Sequence, residues 1–266
     1  MELGLDGKVA LVSGASKGIG RAIAIALAAE GARVAVNGRD EADINAVVKE
    51  IRSAGGVAEA MVADVSDAGD CERLVERTRS RLGEVDVLVN NAGSTGRQVG
   101  FEELSDEEWR DLFELNVMSV VRLSRAVVSG MSGRGWGRIV NVGSESGLQP
   151  DPFMPHYNMT KAALINLTKS LSKAHGSDGV LVNTVSPAAT RTPLVEGMFE
   201  EAAREQGVSA EEVEKQFLAG TRPHIVLERA GEPEEVAKVA VFLASDAASF
   251  VTGSNYRVDG GSVAHQ

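Results

Sequence analysis

Short β-branched runs alternate with helical stretches from one end of this chain to the other, and that rhythm limits its folds more than any other feature. The runs fall at 9–12, 34–37, 58–63, 85–90, 138–142, 180–185 and 255–258. Between them the apolar spacing predicts helices over about 18–30, 41–54, 68–82, 105–131, 156–175 and 233–245. Continuous apolar strands, unlike strands of alternating polarity, are buried on both faces. Strands separated by helices therefore predict an α/β fold: a doubly wound, mainly parallel, seven-stranded sheet with helices on both faces. Ligands of such a sheet lie at the carboxyl ends of the strands. The rhythm breaks at 190–225, an acidic, helical stretch that reads as an insertion lying over that end like a lid. No repeat, low-complexity tract or Pro/Gly-rich linker divides the 266 residues, so 1–266 reads as one domain.

Composition narrows the partners. Aromatic residues make up only 4% of the chain, so the core is expected to consist of Val, Leu, Ile and Ala. A formal net charge of −11 leaves no basic surplus for a nucleic acid, although a local basic pocket for one phosphate remains compatible with it. The lone Cys71 makes an intramolecular disulfide impossible and reads as a helical packing residue. No run reaches the 18 or so apolar residues of a membrane span, and residues 1–6 lack the layout of a signal peptide. The expectation is a cytoplasmic protein with no membrane partner and no metal site.

Three motifs sit where predicted strands end. After the first strand comes Ser13-Gly14-Ala15-Ser16-Lys17-Gly18-Ile19-Gly20, opening a helix with Ile19, Ile23 and Leu27 on its inner face. The glycine spacing is G-x-x-x-G-x-G. Missing side chains permit a tight turn and close approach of a ligand, and a helix N-terminus directs free N–H groups at a pyrophosphate. Asp64-Val65 closes the third strand and Asn90-Asn91-Ala92-Gly93 the fourth. Asp64 can accept from an adenine amino group or cap the next helix. Ala92 and Gly93 leave room for a ribose, while Asn90 and Asn91 also suit a turn tying two strands. Finally, Tyr157 and Lys161 are four residues apart at the start of a predicted helix, on one face. A tyrosine ionises near pH 10, and a neighbouring ammonium favours the phenolate and lowers that value.

With these motifs in this order, nearly the whole chain, from Lys8 to Gly261, resembles the short-chain dehydrogenase/reductase family in its form of roughly 250 residues. The general resemblance extends to its 3-oxoacyl-acyl-carrier-protein reductase-like members. It implies a Rossmann-type domain holding a nicotinamide cofactor at Gly14, Ser16, Lys17, Gly18, Ile19 and Gly20. It also implies Asp64 and Val65 at the adenine, Asn91, Ala92 and Gly93 beside the adenosine ribose, and Pro187, Thr190 and Thr192 at the nicotinamide carboxamide. Tyr157 and Lys161 touch cofactor as well. The resemblance further implies a catalytic tetrad of Asn116, Ser144, Tyr157 and Lys161. In that set Ser144 and Tyr157 grip a carbonyl oxygen, Tyr157 exchanges the proton, Lys161 holds ribose hydroxyls, and Asn116 positions a water. Read alone, Asn116 is a mid-helix Asn satisfied by backbone, and Ser144 a strand-end turn serine.

The cofactor follows from charge. An NAD site places a carboxylate after the second strand to hold the ribose 2′-hydroxyl, whereas a 2′-phosphate requires a cation. By alignment with the family that acidic position is Gly38, followed by Arg39 with its planar fork, and Lys17 faces the same pocket in NADP-binding members. NADP(H) is therefore expected over NAD(H), with Asp40 as a competing partner for Arg39. One departure from the family is Pro187-Ala188 in place of Pro-Gly, which tightens the backbone there.

The substrate is expected to be a small-molecule carbonyl or secondary alcohol. A 3-oxoacyl thioester, a sugar, a steroid and a polyketide-type ketone all remain open. Phe153 and Met154 line a wall of the site or pack at a subunit boundary. Leu194, Met198 and Phe199, then Val213 and Phe217, form apolar stripes of amphipathic helices. His156 reads as structural. The resemblance implies a homotetramer or a dimer. Two alternatives stay in view: a non-catalytic NADP-binding sensor or scaffold on this fold, and an NAD-dependent sugar- or steroid-type alcohol dehydrogenase.

Overall fold

The structure is a computed structural model and describes residues 2–264. Its strands are β1 (Val9–Val12), β2 (Arg33–Gly38), β3 (Val57–Val62), β4 (Val87–Asn90), β5 (Gly137–Val142), β6 (Val180–Pro187) and β7 (Asn255–Val258). All pair in parallel, in the order β3-β2-β1-β4-β5-β6-β7. Every residue of β1, β4 and β5 is buried, as continuous apolar runs require of central strands.

The helices between them are α1 (Gly18–Ala29), α2 (Glu41–Ser53), α3 (Ala68–Leu82), α4 (Asp106–Phe113), α5 (Ser119–Arg134), α6 (Pro155–His175), α7 (Pro193–Gln206), α8 (Ala210–Thr221) and α9 (Pro233–Ala244). On one face of the sheet Ile23 and Leu27 of α1, Ile44 and Val47 of α2 and Val236 and Ala240 of α9 close the core. On the other, Leu74 of α3 and Leu123 and Met131 of α5 do so. The scarcity of aromatics thus shows as a core of aliphatic side chains.

Side-chain caps set the starts of α2 and α3. Asp40 accepts from the Asp43 amide at 2.9 Å to open α2, and Asp67 accepts from the Asp70 amide at 2.8 Å to open α3. The cap of α3 is therefore Asp67, three residues past the Asp64 considered from sequence.

Two features depart from the expected outline. The stretch expected as one helix over 105–131 contains a π-helical turn, Glu114–Met118, between α4 and α5, in which the Ser119 amide reaches the Glu114 carbonyl. The turn adds one residue per helical repeat and sits where Asn116 faces inward. The insertion resolves into α7 and α8, joined through Gly207 in the left-handed region (φ 69°). These two helices share a small core of Phe199, Ala203 and Val213, with the Phe199 and Phe217 rings 5.5 Å apart.

Because β2 and β3 lie to one side of β1 and β4 to β7 to the other, the loops leaving β1 and β4 part in opposite directions. A crevice opens between them at the carboxyl edge.

Candidate active site

The crevice is a cavity of about 380 Å³ lined by the glycine loop, the ends of β2 and β3, and Asn91 to Gly93. Gly14 has φ +62°, and a Cβ there would stand 2.8 Å from the Ala92 Cα. Gly20 is needed for a different reason, since its Cβ would fall 2.3 Å from both the Asn91 Nδ2 and the Gly14 carbonyl oxygen. Asn91 clamps the loop to β4, donating through Nδ2 to the carbonyls of Ser13 (3.1 Å) and Gly14 (2.9 Å). Lys17 stands at the N-cap of α1 without a side-chain cap, so the first amides of the helix are left to an anion.

At the rim, Gly38 has no room for an acidic side chain: a Cβ would meet Ile44 Cγ2 at 2.7 Å. Arg39 is exposed on the cavity wall and makes no ion pair among the described residues. Asp40 is occupied by its capping bond to Asp43, so the competing Arg39–Asp40 pair is not formed. Lys17 does have a partner, Asp43, at 2.8 Å, with 60% of its side chain exposed. Asp64 lines the cavity while its Oδ1 accepts from the Ser66 amide (2.9 Å) and hydroxyl (2.7 Å), and Val65 beside it is buried.

A second cavity, of about 510 Å³, opens beyond the first and shares Ile19, Asn91, Gly93, Thr192 and Leu194 with it. Ser144, Tyr157 and Lys161 all line this second space. Ser144 leaves β5 with its Oγ accepting from the Ser146 amide at 3.1 Å, which leaves its O–H free to donate. The Ser144 hydroxyl also acts on the Tyr157 phenol, favouring its ionised form. One turn along α6, Lys161 donates to the Val142 carbonyl at 2.8 Å and sits 5.6 Å from the centre of the Tyr157 ring. Burial pushes Tyr157 above the usual phenol value, against the pull of the Ser144 hydrogen bond. The downward shift expected from the lysine is not found: desolvation raises the phenol in the free protein, and the opposing pulls come from Ser144 and Arg222. Burial likewise lowers Lys161 from 10.5 to about 8.

Asn116 lies in the π-helical turn, 1% exposed. Its Oδ1 accepts from the Ser94 amide (3.0 Å), and its Nδ2 donates to the Ser94 carbonyl (2.9 Å) and Thr160 Oγ1 (3.1 Å). Its side chain therefore ties the segment after Gly93 to α6, as the backbone-satisfied reading anticipated.

Pro187, Thr190 and Thr192 follow β6 and reach the same place. Thr190 is buried, and Thr192 caps α7, its Oγ1 accepting from the Val195 amide at 3.4 Å while its methyl faces Gly18. Ala188 causes no strain, because Glu228 is the only non-glycine among the described residues with positive φ. Phe153, Met154, Leu194, Met198 and Phe217 give the cavity its apolar walls. His156 is buried, edge-on to Trp109 with ring centres 5.8 Å apart, and burial lowers its ionisation.

Sequence reasoning missed one set of charges beside this cavity. Arg222, just past α8, donates to Glu145 at 2.7 Å and to both oxygens of Asp151 at 2.9 and 2.6 Å. Glu145, 4% exposed, immediately follows Ser144. A buried carboxylate and a partly buried guanidinium 77 positions apart leave no local signal in a sequence.

Among the described residues no group of three or more His, Cys, Asp or Glu is placed to hold a metal ion, and no helix is long and apolar enough to cross a membrane.

Comparison with known proteins agrees with this fold. The family described as enoyl-(acyl carrier protein) reductase matches residues 14–263. The chain is 36% identical over 259 residues to the 3-oxoacyl-(acyl-carrier-protein) reductase FabG of Escherichia coli, covering 97% of this chain and 98% of the relative. Among solved structures, the L-sorbose reductase of Gluconobacter frateurii, complexed with NADPH and L-sorbose, superposes with a TM-score of 0.95 at 35% identity over 100% of both chains. A 3-oxoacyl (acyl-carrier-protein) reductase of Agrobacterium tumefaciens with NADP bound gives 0.88 at 34% identity, covering 97% of this chain and 95% of the other.

Proposed function

The chain belongs to the short-chain dehydrogenase/reductase family, and from that premise we propose that it is an NADP(H)-dependent oxidoreductase acting between a ketone and its secondary alcohol. Ser144, Tyr157 and Lys161 converging on the second cavity carries this reading, since a donor to oxygen then lines a space that adjoins the glycine-loop cleft.

The residues fit the cofactor. The Gly14 turn and the uncapped start of α1 suit a pyrophosphate. Asp64 and Val65 would meet the adenine, and Asn91, Ala92 and Gly93 its ribose. Gly38, which excludes a carboxylate, and the unpaired Arg39 suit a 2′-phosphate, with Lys17 joining by leaving Asp43. Pro187, Thr190 and Thr192 would face the nicotinamide. When bound, NADPH supplies the hydride.

The protein groups supply the rest. Ser144, its Oγ already accepting from Ser146, donates to the substrate oxygen as charge develops there. Tyr157, kept protonated by burial, gives its proton to that oxygen. Lys161, next to the phenol, returns a proton to Tyr157 and would hold a ribose hydroxyl of the bound cofactor. Asn116 holds the chain after Gly93 and the start of α6 at fixed spacing. The lid helices α7 and α8 cover the substrate and exclude water.

The apolar walls at Phe153, Leu194, Met198 and Phe217 favour an acyl chain or carbocyclic ketone over a polyol, so a 3-oxoacyl thioester heads the substrate panel. Phe250, fully exposed in the segment leading to β7, and Met159, exposed on α6, support assembly into a homotetramer through those elements. The one-domain reading of the chain and a cytoplasmic address complete the proposal. A non-catalytic sensor would leave the Ser144–Tyr157 pair without a role.

The test is NADPH consumption with 3-oxoacyl thioesters, cyclic ketones and ketohexoses. Turnover of at least one ketone with NADPH preferred over NADH is expected. A preference for NADH above tenfold, or no turnover across the panel, would reject it.

A further inference from the structure

A largely buried guanidinium at the end of the lid joins two points of the segment that runs from Ser144 to the start of α6. Arg222 follows α8 directly and is 10% exposed. Its Nε donates to Glu145 Oε1 at 2.7 Å, its Nη1 to Asp151 Oδ1 at 2.9 Å and to its neighbour Thr221 O at 2.9 Å, and its Nη2 to Asp151 Oδ2 at 2.6 Å. Four of the five guanidinium N–H groups are thereby used inside the protein, leaving little to offer a substrate.

The placement of the two carboxylates gives this cluster its meaning. Glu145 is the residue after Ser144, and Asp151 stands six residues before Tyr157. Asp151 also reaches α6 by its backbone, its carbonyl accepting from Asn158 Nδ2 at 2.7 Å. The segment between β5 and α6 is thus pinned at both ends by one side chain belonging to the insertion. Planar, bidentate pairing fixes direction as well as distance, which a lysine cannot do.

We propose that Arg222 is a positioning residue of the reaction: by holding Glu145 and Asp151 together it sets the Ser144–Tyr157 geometry and couples it to the lid. The proposal rests on the functional reading above for its effect on turnover, and on the geometry of the Arg222 cluster together with its charges for its effect on the phenol. The charged groups around that phenol are Lys161 from its own helix, Glu145 from the turn after β5 and Arg222 from the end of α8. Glu145 pushes the phenol up and Arg222 pulls it down.

The chain holds only two tyrosines, Tyr157 and Tyr256. In a Tyr256→Phe background the near-ultraviolet absorbance of phenolate therefore titrates Tyr157 alone, whether or not the protein turns over substrate. Arg222→Met, Arg222→Lys and Glu145→Gln are compared in that background for NADPH affinity, for kcat and KM with a ketone, and for the phenol midpoint. Arg222→Met is expected to bind NADPH as its parent does and to lose about a hundredfold in kcat with a smaller change in KM, the size of a catalytic geometry displaced by about an ångström. Arg222→Lys should recover part of that loss. The phenol midpoint should rise in Arg222→Met and fall in Glu145→Gln, an opposition that a merely structural role would not produce.

A parent-like kcat in a folded Arg222→Met, or a loss wholly in KM, overturns the proposal. If Arg222→Met does not fold, Arg222→Lys and Glu145→Gln decide. A Lys variant with parental kcat, or a Gln variant with an unmoved midpoint, counts against it. A parent without ketone turnover rejects the functional reading instead, and the midpoints alone then decide Arg222: opposite shifts uphold its hold on the loop, and unmoved midpoints end it.

Discussion

Lys161→Met should give a protein that is inactive yet more stable than its parent. Lys161 is 5% exposed, donates to the Val142 carbonyl at 2.8 Å and makes no ion pair among the described residues. Burial alone lowers its ionisation from 10.5 to about 8. At roughly 1.4 kcal/mol per pH unit, keeping the ammonium charged costs the fold about 3 kcal/mol at neutral pH. Met fills a similar volume and removes that cost, while leaving the Val142 carbonyl without its donor takes back about 1 kcal/mol. A net gain of about 2 kcal/mol remains, or roughly 4–8 °C in Tm for a chain of this size.

The sign of the pH dependence follows. A lysine depressed in the folded state binds fewer protons than in the unfolded chain between about 8 and 10.5, so the parent gains stability as pH rises through that window. The advantage of Met is full below about pH 8 and shrinks toward 10.5. Denaturant unfolding of both proteins without cofactor, at several pH values, measures the difference directly, because all other titrations cancel. A Met variant less stable than the parent at neutral pH, or an advantage that stays constant across the window, would refute the reasoning.

Other substitutions test the cofactor cleft. Arg39→Glu should weaken NADPH by about tenfold or more, the worth of one hydrogen bond to a charged group, and leave NADH nearly unaffected; paired KM measurements decide. Asn91→Ala removes two clamps on the glycine loop and should cost about 1–3 kcal/mol in unfolding free energy together with a higher Kd for NADPH. Gly20→Ala should abolish NADPH binding in a folded protein, since its Cβ would stand 2.3 Å from the Gly14 carbonyl oxygen, and calorimetric titration reads this.

The sheet was legible because its signal is local. Runs of Val, Leu and Ile bounded by turns gave strands that the structure places within two residues of expectation, as at β1 and β7, where both ends coincide. The glycine loop and the Tyr157–Lys161 spacing were legible for the same reason. What escaped depends on contacts between distant positions. The π-helical turn at Glu114–Met118 breaks no propensity rule, and it forms where Asn116 can bond Ser94 and Thr160 across the fold. The pairing of Lys17 with Asp43 joins two elements that meet only once β1 and β2 lie side by side. The ionisation of Tyr157 was expected to become easier beside an ammonium, yet desolvation of the phenol itself sets the direction of its shift. Arg222 was invisible because its meaning lies in two carboxylates on the far side of α6 and α7 in sequence.

The central claim is that the phenol at position 157 moves the proton in hydride transfer while other groups hold the cofactor. Substituting Phe for Tyr157 and measuring NADPH affinity beside kcat tests it most directly. An essentially unchanged Kd with kcat reduced by about a hundredfold or more is the predicted result, as loss of a general acid requires. A variant that keeps a tenth of parental kcat would contradict the account.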